Sequence, residues 1–198
     1  LSLLTALSVL RLYTNSLTGS IPSGVSELQQ LRELKFGGNK LSGEIPANVS
    51  LLTALSVLEL YTNSLTGSIP SGVSALQQLT YLHFCCNQLS GEIPVVLSKL
   101  QQLRNLYLYD NKLIGEIPAE ISLLTALSSL QLYTNSLTDR KRAVECTGLQ
   151  LGGRRLPVQL VVPEFQISQL LQRRLDPRDR AAPLVVMKIQ IRQLLRRR

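Results

Sequence analysis

The sequence predicts an α/β solenoid, an arc of about six 24-residue repeats with a parallel sheet on its concave side, followed by an irregular or partly helical basic tail. Three observations lead to this fold class. An asparagine recurs every 24 residues from Asn15 to Asn135. The fifteen residues LYTNSLTGSIPSGVS occur at 12–26 and again, unchanged, at 60–74. The recurrence stops after Thr138, where the charge balance also changes.

Each repeat follows the frame LxxLxLxxNxLxGxIPxxLxxLxx. The opening segment, LSVLRLY in the first copy, alternates as a strand does, so Leu10 and Leu12 are expected to face inward and the residues beside them outward. The asparagine ends the strand, where an inward amide can bond backbone groups of neighbouring turns. Glycine and proline then mark the turns of the segment that returns along the convex side of the repeat, and the last apolar positions close the core. No repeat can bury its leucines alone, so neighbouring repeats must stabilise one another.

The LxGxIP stretch resembles the plant-type leucine-rich repeat of receptor-like kinase ectodomains, receptor-like proteins and polygalacturonase inhibitors, over residues 1–138. The resemblance implies a second short strand beside the concave sheet, at Leu17–Ile21 and its equivalents. It also implies non-catalytic recognition of a protein or peptide ligand, without a cofactor, at an extracellular or apoplastic location. The sequence shows no signal peptide, paired-cysteine capping module, transmembrane segment or kinase segment, and we expect it to be a fragment of a longer protein.

The outward columns of the concave strands are the candidate ligand-binding site, because the frame residues are needed for the core. Strands about 4.8 Å apart would place mixed charges beside a line of tyrosines. Tyrosine offers a large rigid surface with a polar tip and is frequent at interfaces. The alternative is that these are ordinary solvated positions that pack across strands. The predicted ligand-binding residues are Arg11, Tyr13, Lys35, Glu59, Tyr61, Tyr81, His83, Tyr107, Tyr109, Gln131 and Tyr133.

Catalytic and metal sites are not predicted. His83, the only histidine, lies two positions before Cys85, so a Cys–His nucleophile pair is conceivable, but no carboxylate in the same turn could orient it. The cysteines Cys85, Cys86 and Cys146 lack metal-ligand spacing. Cys85 and Cys86 replace the Tyr-Thr of other copies, and we expect one thiol to be exposed and prone to oxidation. Asn48 begins the single N-glycosylation triplet of the chain.

A second column of the repeat predicts an alternative function, ice binding (antifreeze activity or inhibition of ice recrystallisation). Some plant leucine-rich repeat proteins bind ice, and such binding needs a flat, regular array of small polar and methyl groups. The family fold would supply this column by itself, and the NxVxG stretch of the grass ice-recrystallisation inhibitors is missing. The candidate ice-binding residues are Thr18, Ser42, Thr66, Ser90 and Thr138, with Ile114 in the same column.

Residues 139–198 are predicted to be a basic C-terminal tail. The chain carries fourteen Lys or Arg and four Asp or Glu over 140–198, against seven and nine over 1–139. Two stretches, 167–175 and 184–195, have the apolar spacing of helices and are bounded by prolines. We interpret the tail as non-native or out of frame; the alternative is a basic amphipathic element that meets a membrane surface, nucleic acid or acidic protein. The absence of aromatic platforms argues against a nucleic-acid partner.

Overall fold

The computed structural model describes residues 4–138, 150–151 and 154–155, which belong to one compact unit. Over 4–138 the chain repeats a concave strand, a second strand and one turn of 3₁₀ helix. In chain order the strands are β1 (Val9–Arg11), β2 (Thr18–Gly19), β3 (Glu33–Lys35), β4 (Lys40–Glu44), β5 (Val57–Glu59), β6 (Ser64–Thr66), β7 (Tyr81–His83), β8 (Ser90–Glu92), β9 (Asn105–Tyr107), β10 (Lys112–Glu116), β11 (Ser129–Gln131) and β12 (Ser136–Thr138).

The odd-numbered strands β1 to β11 form one six-stranded parallel sheet in sequential order. Each residue pairs with its equivalent in the next repeat, as Leu10 does with Leu34 and Leu34 with Leu58. Because side chains alternate between the two faces, this register stacks every inward leucine on another leucine and every outward residue on its own column. The predicted solenoid and its parallel concave sheet are confirmed.

The even-numbered strands are the second strands that the LxGxIP stretch implies, and they form two three-stranded sheets, β2-β4-β6 and β8-β10-β12. Their register differs from that of the concave sheet, since Thr18 pairs with Lys40 and Ser42 with Ser64, two residues short of the repeat length. Between the two sheets, the N–H of Ser90 still donates to the carbonyl of Gly67 at 2.8 Å.

The return side of each turn is a 3₁₀ helix that follows the proline of the repeat. The prolines hold φ between −58° and −66°, which sets the entry to each helix, and none of these helices has a side-chain cap. In the described part of the chain the helical component of the solenoid therefore consists of single turns, and no helix there is long and apolar enough to cross a membrane. The five helices are Ser23–Glu27, Ala47–Leu51, Ser71–Ala75, Val95–Lys99 and Ala119–Leu123.

The repeat leucines form one continuous core. From the second repeat onward the inward residues are almost completely buried, whereas Leu10 and Leu12 of the first repeat are partly buried, because that turn has a described neighbour on one side only. The fully buried closing leucines are Leu28, Leu52, Leu76, Leu100 and Leu124.

The repeated asparagine links successive turns, as its position predicts. The Asn39 amide donates to the carbonyls of Leu12 and Phe36, each at 2.9 Å, and its Oδ1 accepts from the N–H of Leu17 at 3.1 Å. The same three-way contact recurs at Asn63, Asn87, Asn111 and Asn135. An orphaned buried backbone group costs about 1–3 kcal/mol, so each asparagine protects the corner where the chain leaves the concave sheet.

The residue before each asparagine adopts the left-handed backbone conformation. Its φ lies between 50° and 56° at Thr14, Thr62, Cys86, Asp110 and Thr134 and is 67° at Gly38. Left-handed φ values are uncommon outside glycine, and a β-branched threonine adopts them only under constraint. The constraint is visible in the backbone, where the N–H of Thr62 donates to the carbonyl of Cys85 at 3.0 Å.

Beyond residue 138 the structure describes one short antiparallel pair, β13 (Gln150–Leu151) and β14 (Arg154–Arg155). The predicted tail helices over 167–175 and 184–195, the domain boundary at 138/139 and Cys146 all lie outside the described residues.

Candidate ligand-binding face

The in-register concave sheet brings the predicted ligand-binding residues onto one surface. Three outward columns lie side by side: one begins at Val9, one at Arg11 and one at Tyr13. Most of these side chains from the second repeat onward are half-buried, because each is flanked by its equivalents on neighbouring strands. The chemistry changes along the face: charged side chains occupy β1, β3 and β5, and the face is mainly aromatic from Tyr61, just after β5, to Tyr133.

The charged half is a row of alternating ion pairs. Two guanidinium nitrogens of Arg11 donate to Glu33 Oε2, at 2.7 and 3.0 Å, and Lys35 Nζ lies 3.2 Å from Glu59 Oε1 and 3.7 Å from Glu33 Oε2. The hydrogen bond from Arg11 lowers the pKa of Glu33 below its ordinary value. Arg11, Lys35 and Glu59 are among the predicted ligand-binding residues, whereas Glu33, which lies in the neighbouring column and joins the two cations, is not.

The aromatic half is a continuous group of rings, called here the aromatic cluster. Its centre is the His83 imidazole, which stacks on Tyr61 at a centroid distance of 4.7 Å and meets the edge of Tyr107 at 5.1 Å. Tyr81 packs edge-on against both His83 and Tyr107, and Tyr109 stacks on Tyr133 at 4.5 Å with ring planes 10° apart. Such ring pairs contribute roughly 0.5–1.5 kcal/mol beyond area burial. The cluster comprises Tyr61, Tyr81, His83, Tyr107, Tyr109 and Tyr133.

Burial in the aromatic cluster disfavours charge on its titratable groups. Desolvation lowers the pKa of His83 to about 4, so the imidazole is neutral at physiological pH. Desolvation likewise raises the pKa of Tyr81 to about 12. The pKa of the Tyr109 hydroxyl is raised mainly by its hydrogen bond with Cys85 and secondly by burial. The cluster is therefore an uncharged surface whose polar atoms are phenol hydroxyls and one neutral imidazole.

Cys85 lies beneath the aromatic cluster. Its side chain is in the tyrosine column but is only 2% exposed, because His83 and Tyr109 lie over it. The sulfur is 2.9 Å from His83 Nε2, so the Cys–His pair does form. Burial raises the pKa of the Cys85 thiol to about 12, and a protonated thiol beside a neutral imidazole lacks the thiolate that a cysteine nucleophile requires. The thiol with partial exposure is that of Cys86.

A depression interrupts the tyrosine column between the charged half and the aromatic cluster. Gly37 takes the place of a tyrosine there, and the Tyr61 ring lies over it so closely that a Cβ on Gly37 would overlap the ring. The space left in front of Tyr61 has a volume of about 200 Å³. Its lining residues are Arg11, Tyr13, Lys35, Glu59 and Tyr61.

The candidate ice-binding column lies on the even-numbered strands, away from the concave sheet. Because strand partners there are 22 residues apart, each hydroxyl faces a residue from a different column. Thr18 pairs with Lys40, Thr66 with Glu44 and Thr138 with Glu116. The Thr/Ser column therefore runs diagonally across the ladder, with charged side chains between its members. Ile114 in the same column is half exposed.

The remaining predicted site residue, Asn48, lies in the 3₁₀ helix Ala47–Leu51. Its Nδ2 donates to the carbonyl of Ser23 at 3.1 Å and to Ser26 Oγ at 3.0 Å, so the amide links two turns of the solenoid. Over the described residues, no group of three or more His, Cys, Asp or Glu side chains is arranged to hold a metal ion.

Comparisons with known proteins agree with this geometry. A family model described as a leucine-rich repeat region matches residues 1–149. No curated protein matches the chain. Among solved structures, the chain is similar to the leucine-rich repeat ectodomain of GASSHO1/SCHENGEN3, a membrane receptor kinase of Arabidopsis thaliana, in complex with CASPARIAN STRIP INTEGRITY FACTOR 2. The identity is 40%, the TM-score is 0.68, and the match covers 69% of this chain and 16% of that one.

Two further solved structures show the range of functions on this fold. The ectodomain of the Arabidopsis receptor kinase HAESA, in complex with an N-terminally extended IDA peptide hormone, is 37% identical with a TM-score of 0.66, over 69% of this chain and 23% of that one. A plant ice-binding protein is 30% identical with a TM-score of 0.63, over 69% of this chain and 52% of that one. The chain thus spans about half or less of each of these three relatives.

Proposed function

Because the chain belongs to the leucine-rich repeat family and is of the plant type, we propose that it is a non-catalytic module that recognises a peptide or protein ligand across its concave face. Recognition resides in residues 1–138, and the module acts outside the cell, as the receptor ectodomains among its relatives do.

The aromatic cluster is the observation that carries this proposal. Six rings meet on an open sheet surface at centroid distances of 4.5 to 6.2 Å. Large, preorganised aromatic side chains are the usual anchors of protein interfaces, because they bury much area and lose little conformational entropy. The neighbouring charged row is already self-paired. We therefore assign affinity to the aromatic cluster and orientation of the ligand to the charged half.

The geometry around Cys85 supports a non-catalytic role. Its thiol is buried and protonated, and its histidine partner is neutral. One relative was solved in complex with CASPARIAN STRIP INTEGRITY FACTOR 2, and another in complex with an IDA peptide hormone ligand. We take the ligand of this chain to be of the same chemical class, an extended peptide that lies across the strands.

The test is peptide selection followed by matched substitutions. A phage-displayed library of random peptides is selected on the immobilised full chain, and the affinity of each enriched peptide is measured by calorimetry. Tyr107→Ala removes a ring from the aromatic cluster, whereas Gln102→Ala changes an exposed side chain outside the concave sheet. An anchoring aromatic contributes about 2 kcal/mol, so Tyr107→Ala should weaken binding roughly 30-fold. Gln102→Ala should leave the Kd unchanged. Peptides that tolerate Tyr107→Ala and Tyr61→Ala at full affinity would refute the proposal.

Ice binding is the second candidate function, and two observations favour it: the similarity to a plant ice-binding protein and the exposed hydroxyl column on the even-numbered strands. The charged residues Lys40, Glu44 and Glu116 pair with members of the hydroxyl column and interrupt the regular array of methyl and hydroxyl groups that ice binding needs. We therefore rank ice binding second.

Ice recrystallisation in frozen sucrose films separates the two functions. If the hydroxyl column binds ice, the parent chain should suppress crystal growth at micromolar concentration, Thr66→Leu should weaken that suppression, and Tyr109→Ala should leave it intact. If the parent does not suppress growth, ice binding is excluded and peptide recognition stands alone.

A further inference from the structure

Two adjacent thiols meet at the edge of the concave sheet. Cys86 Sγ lies 3.4 Å from Cys85 Sγ and donates to it, and His83 Nε2 lies 2.9 Å from the same Cys85 sulfur. Cys85 is buried, whereas Cys86 is half-buried and reachable from solvent. We propose that this pair is an oxidative modification site, at which a hydroperoxide converts the two thiols into a reversible disulfide between neighbouring residues.

The backbone explains why the two sulfurs are close. In a continuous strand, successive side chains point to opposite faces, and the thiols of adjacent cysteines would be far apart. Here the strand ends at His83, and Cys86 occupies the left-handed position that precedes the repeated asparagine, with φ of 56°. That conformation brings the Cys86 sulfur to the side of Cys85. Every other repeat has Thr, Gly or Asp at this position, so the thiol pair belongs to the fourth repeat alone.

The chemistry balances with a hydroperoxide as the only co-reactant. The accessible Cys86 sulfur attacks the peroxide, the O–O bond breaks, and a sulfenic acid forms as the leaving oxygen takes up a proton and departs as water or alcohol. The Cys85 sulfur then attacks the sulfenyl sulfur, so that the S–S bond forms and the S–O bond breaks. As the S–S bond forms, the Cys85 thiol gives its proton directly to the hydroxyl that leaves the sulfenic acid as water, so no free Cys85 thiolate is needed. Two thiols are oxidised and one peroxide is reduced.

The product should be easily reduced. The Cα atoms of adjacent residues are about 3.8 Å apart, which is shorter than the usual span of a disulfide. Such strained bridges are the labile and regulatory ones. Backbone hydrogen bonds also hold this corner to its neighbours, from Thr62 N to Cys85 O at 3.0 Å and from Cys86 N to Tyr109 O at 3.1 Å. Closing the ring draws the Cys85 sulfur away from His83 and Tyr109 and thereby alters the packing of the aromatic cluster.

The test uses the full chain with Cys146→Ser, so that the two adjacent thiols are the only ones present. After hydrogen peroxide, the intact mass should fall by two hydrogens, both cysteines should resist alkylation once the chain is unfolded in urea, and the protein should remain monomeric on a non-reducing gel. Near-ultraviolet circular dichroism of the tyrosines should shift, and dithiothreitol should reverse every change. Accumulation of sulfinic acid on Cys86 while Cys85 still alkylates, or a disulfide between chains, would overturn the proposal.

Two matched variants in the same background identify the order of the reaction. Cys85→Tyr and Cys86→Thr restore residues that other repeats carry at these positions, so the solenoid frame is retained. Dimedone, which traps sulfenic acids, should label Cys86 strongly in Cys85→Tyr, because the resolving thiol is gone. It should label the parent at least roughly tenfold less and should not label Cys86→Thr, whose remaining thiol is buried. Equal labelling of the parent and Cys85→Tyr would show that Cys85 does not resolve the sulfenic acid.

Discussion

Replacement of one repeated asparagine by alanine tests the physical account of the solenoid corner. Asn87 is 9% exposed. Its Nδ2 donates to the carbonyls of Leu60, Phe84 and Cys85, and its Oδ1 accepts from the N–H of Leu65 at 3.0 Å. Asn87→Ala removes all four contacts at once.

Loss of these four hydrogen bonds does not affect their backbone partners equally. The Leu60 carbonyl keeps a bond from the Asn63 amide, the Phe84 carbonyl keeps one from the Asn111 amide, and the Cys85 carbonyl keeps one from the N–H of Thr62. The buried N–H of Leu65 loses the acceptor that Asn87 provides. An orphaned buried donor costs about 1–3 kcal/mol, and the small cavity adds to this. We expect a loss of roughly 2–3 kcal/mol in the free energy of unfolding.

Asn15 is the matched control, because it occupies the same place in the first repeat but is exposed. Its amide donates at 3.2 Å to the carbonyls of Leu12 and Tyr13, and the Leu12 carbonyl keeps a bond from Asn39. Asn15→Ala should therefore cost less than about 0.5 kcal/mol. Urea unfolding, followed by far-ultraviolet circular dichroism and tyrosine fluorescence, measures both values where the two transitions coincide. Equal losses for Asn15→Ala and Asn87→Ala would refute the assignment of stability to the Leu65 N–H.

Three further predictions concern the concave face. His83 should titrate by NMR with a midpoint near 4, and a midpoint near 6.5 would contradict its burial. The free energy of unfolding should fall as the pH drops from 6.5 towards 4, because the imidazole binds a proton in the unfolded chain but not in the folded one. Glu33→Gln should destabilise the chain at neutral pH, because the ion pair with Arg11 exists only while the Glu33 carboxylate is ionised. The difference in unfolding midpoint between variant and parent should disappear at pH values below 4.5, the ordinary pKa of a glutamate, where acid protonates Glu33. A difference that does not change with pH would contradict this. Gly37→Ala should push the Tyr61 ring off its stack with His83 and change the tyrosine near-ultraviolet circular dichroism, whereas Gly24→Ala, where a Cβ meets open space, should not; an unchanged spectrum for Gly37→Ala would refute the overlap.

The sequence predicts the parts of this fold that depend on the period. Frame residues such as Leu34, Leu58 and Asn63 are assigned correctly, because every repeat places them in the same environment and the frame can be read from six copies. The side-by-side columns of the concave face follow from the same period, so the predicted ligand-binding residues do share one surface.

What the sequence could not predict depends on departures from the period. The two-residue offset of the even-numbered strands places Glu44 beside Thr66, where the repeat length alone predicts Ser42. The burial of Cys85 depends on how the larger His83 and Tyr109 side chains settle over a small residue. Likewise, the Tyr61 ring leans over Gly37 because a neighbouring side chain is missing, and only packing in three dimensions shows this.

The in-register concave sheet also gives the protein a scale along which its binding face can be lengthened. The two copies of LYTNSLTGSIPSGVS begin 48 residues apart, which is the length of two repeats. Insertion of one such unit adds two strands to the concave sheet and restores every backbone pairing on either side of the insertion. Placed between β5 and β7, such a unit would move His83 and the rings beyond it away from the charged row and Tyr61 by about 10 Å, which is the width of two strands. The spacing between a ligand's charged end and its aromatic end is thus set by the number of repeats between them, and gain or loss of one such unit changes that spacing in a single step.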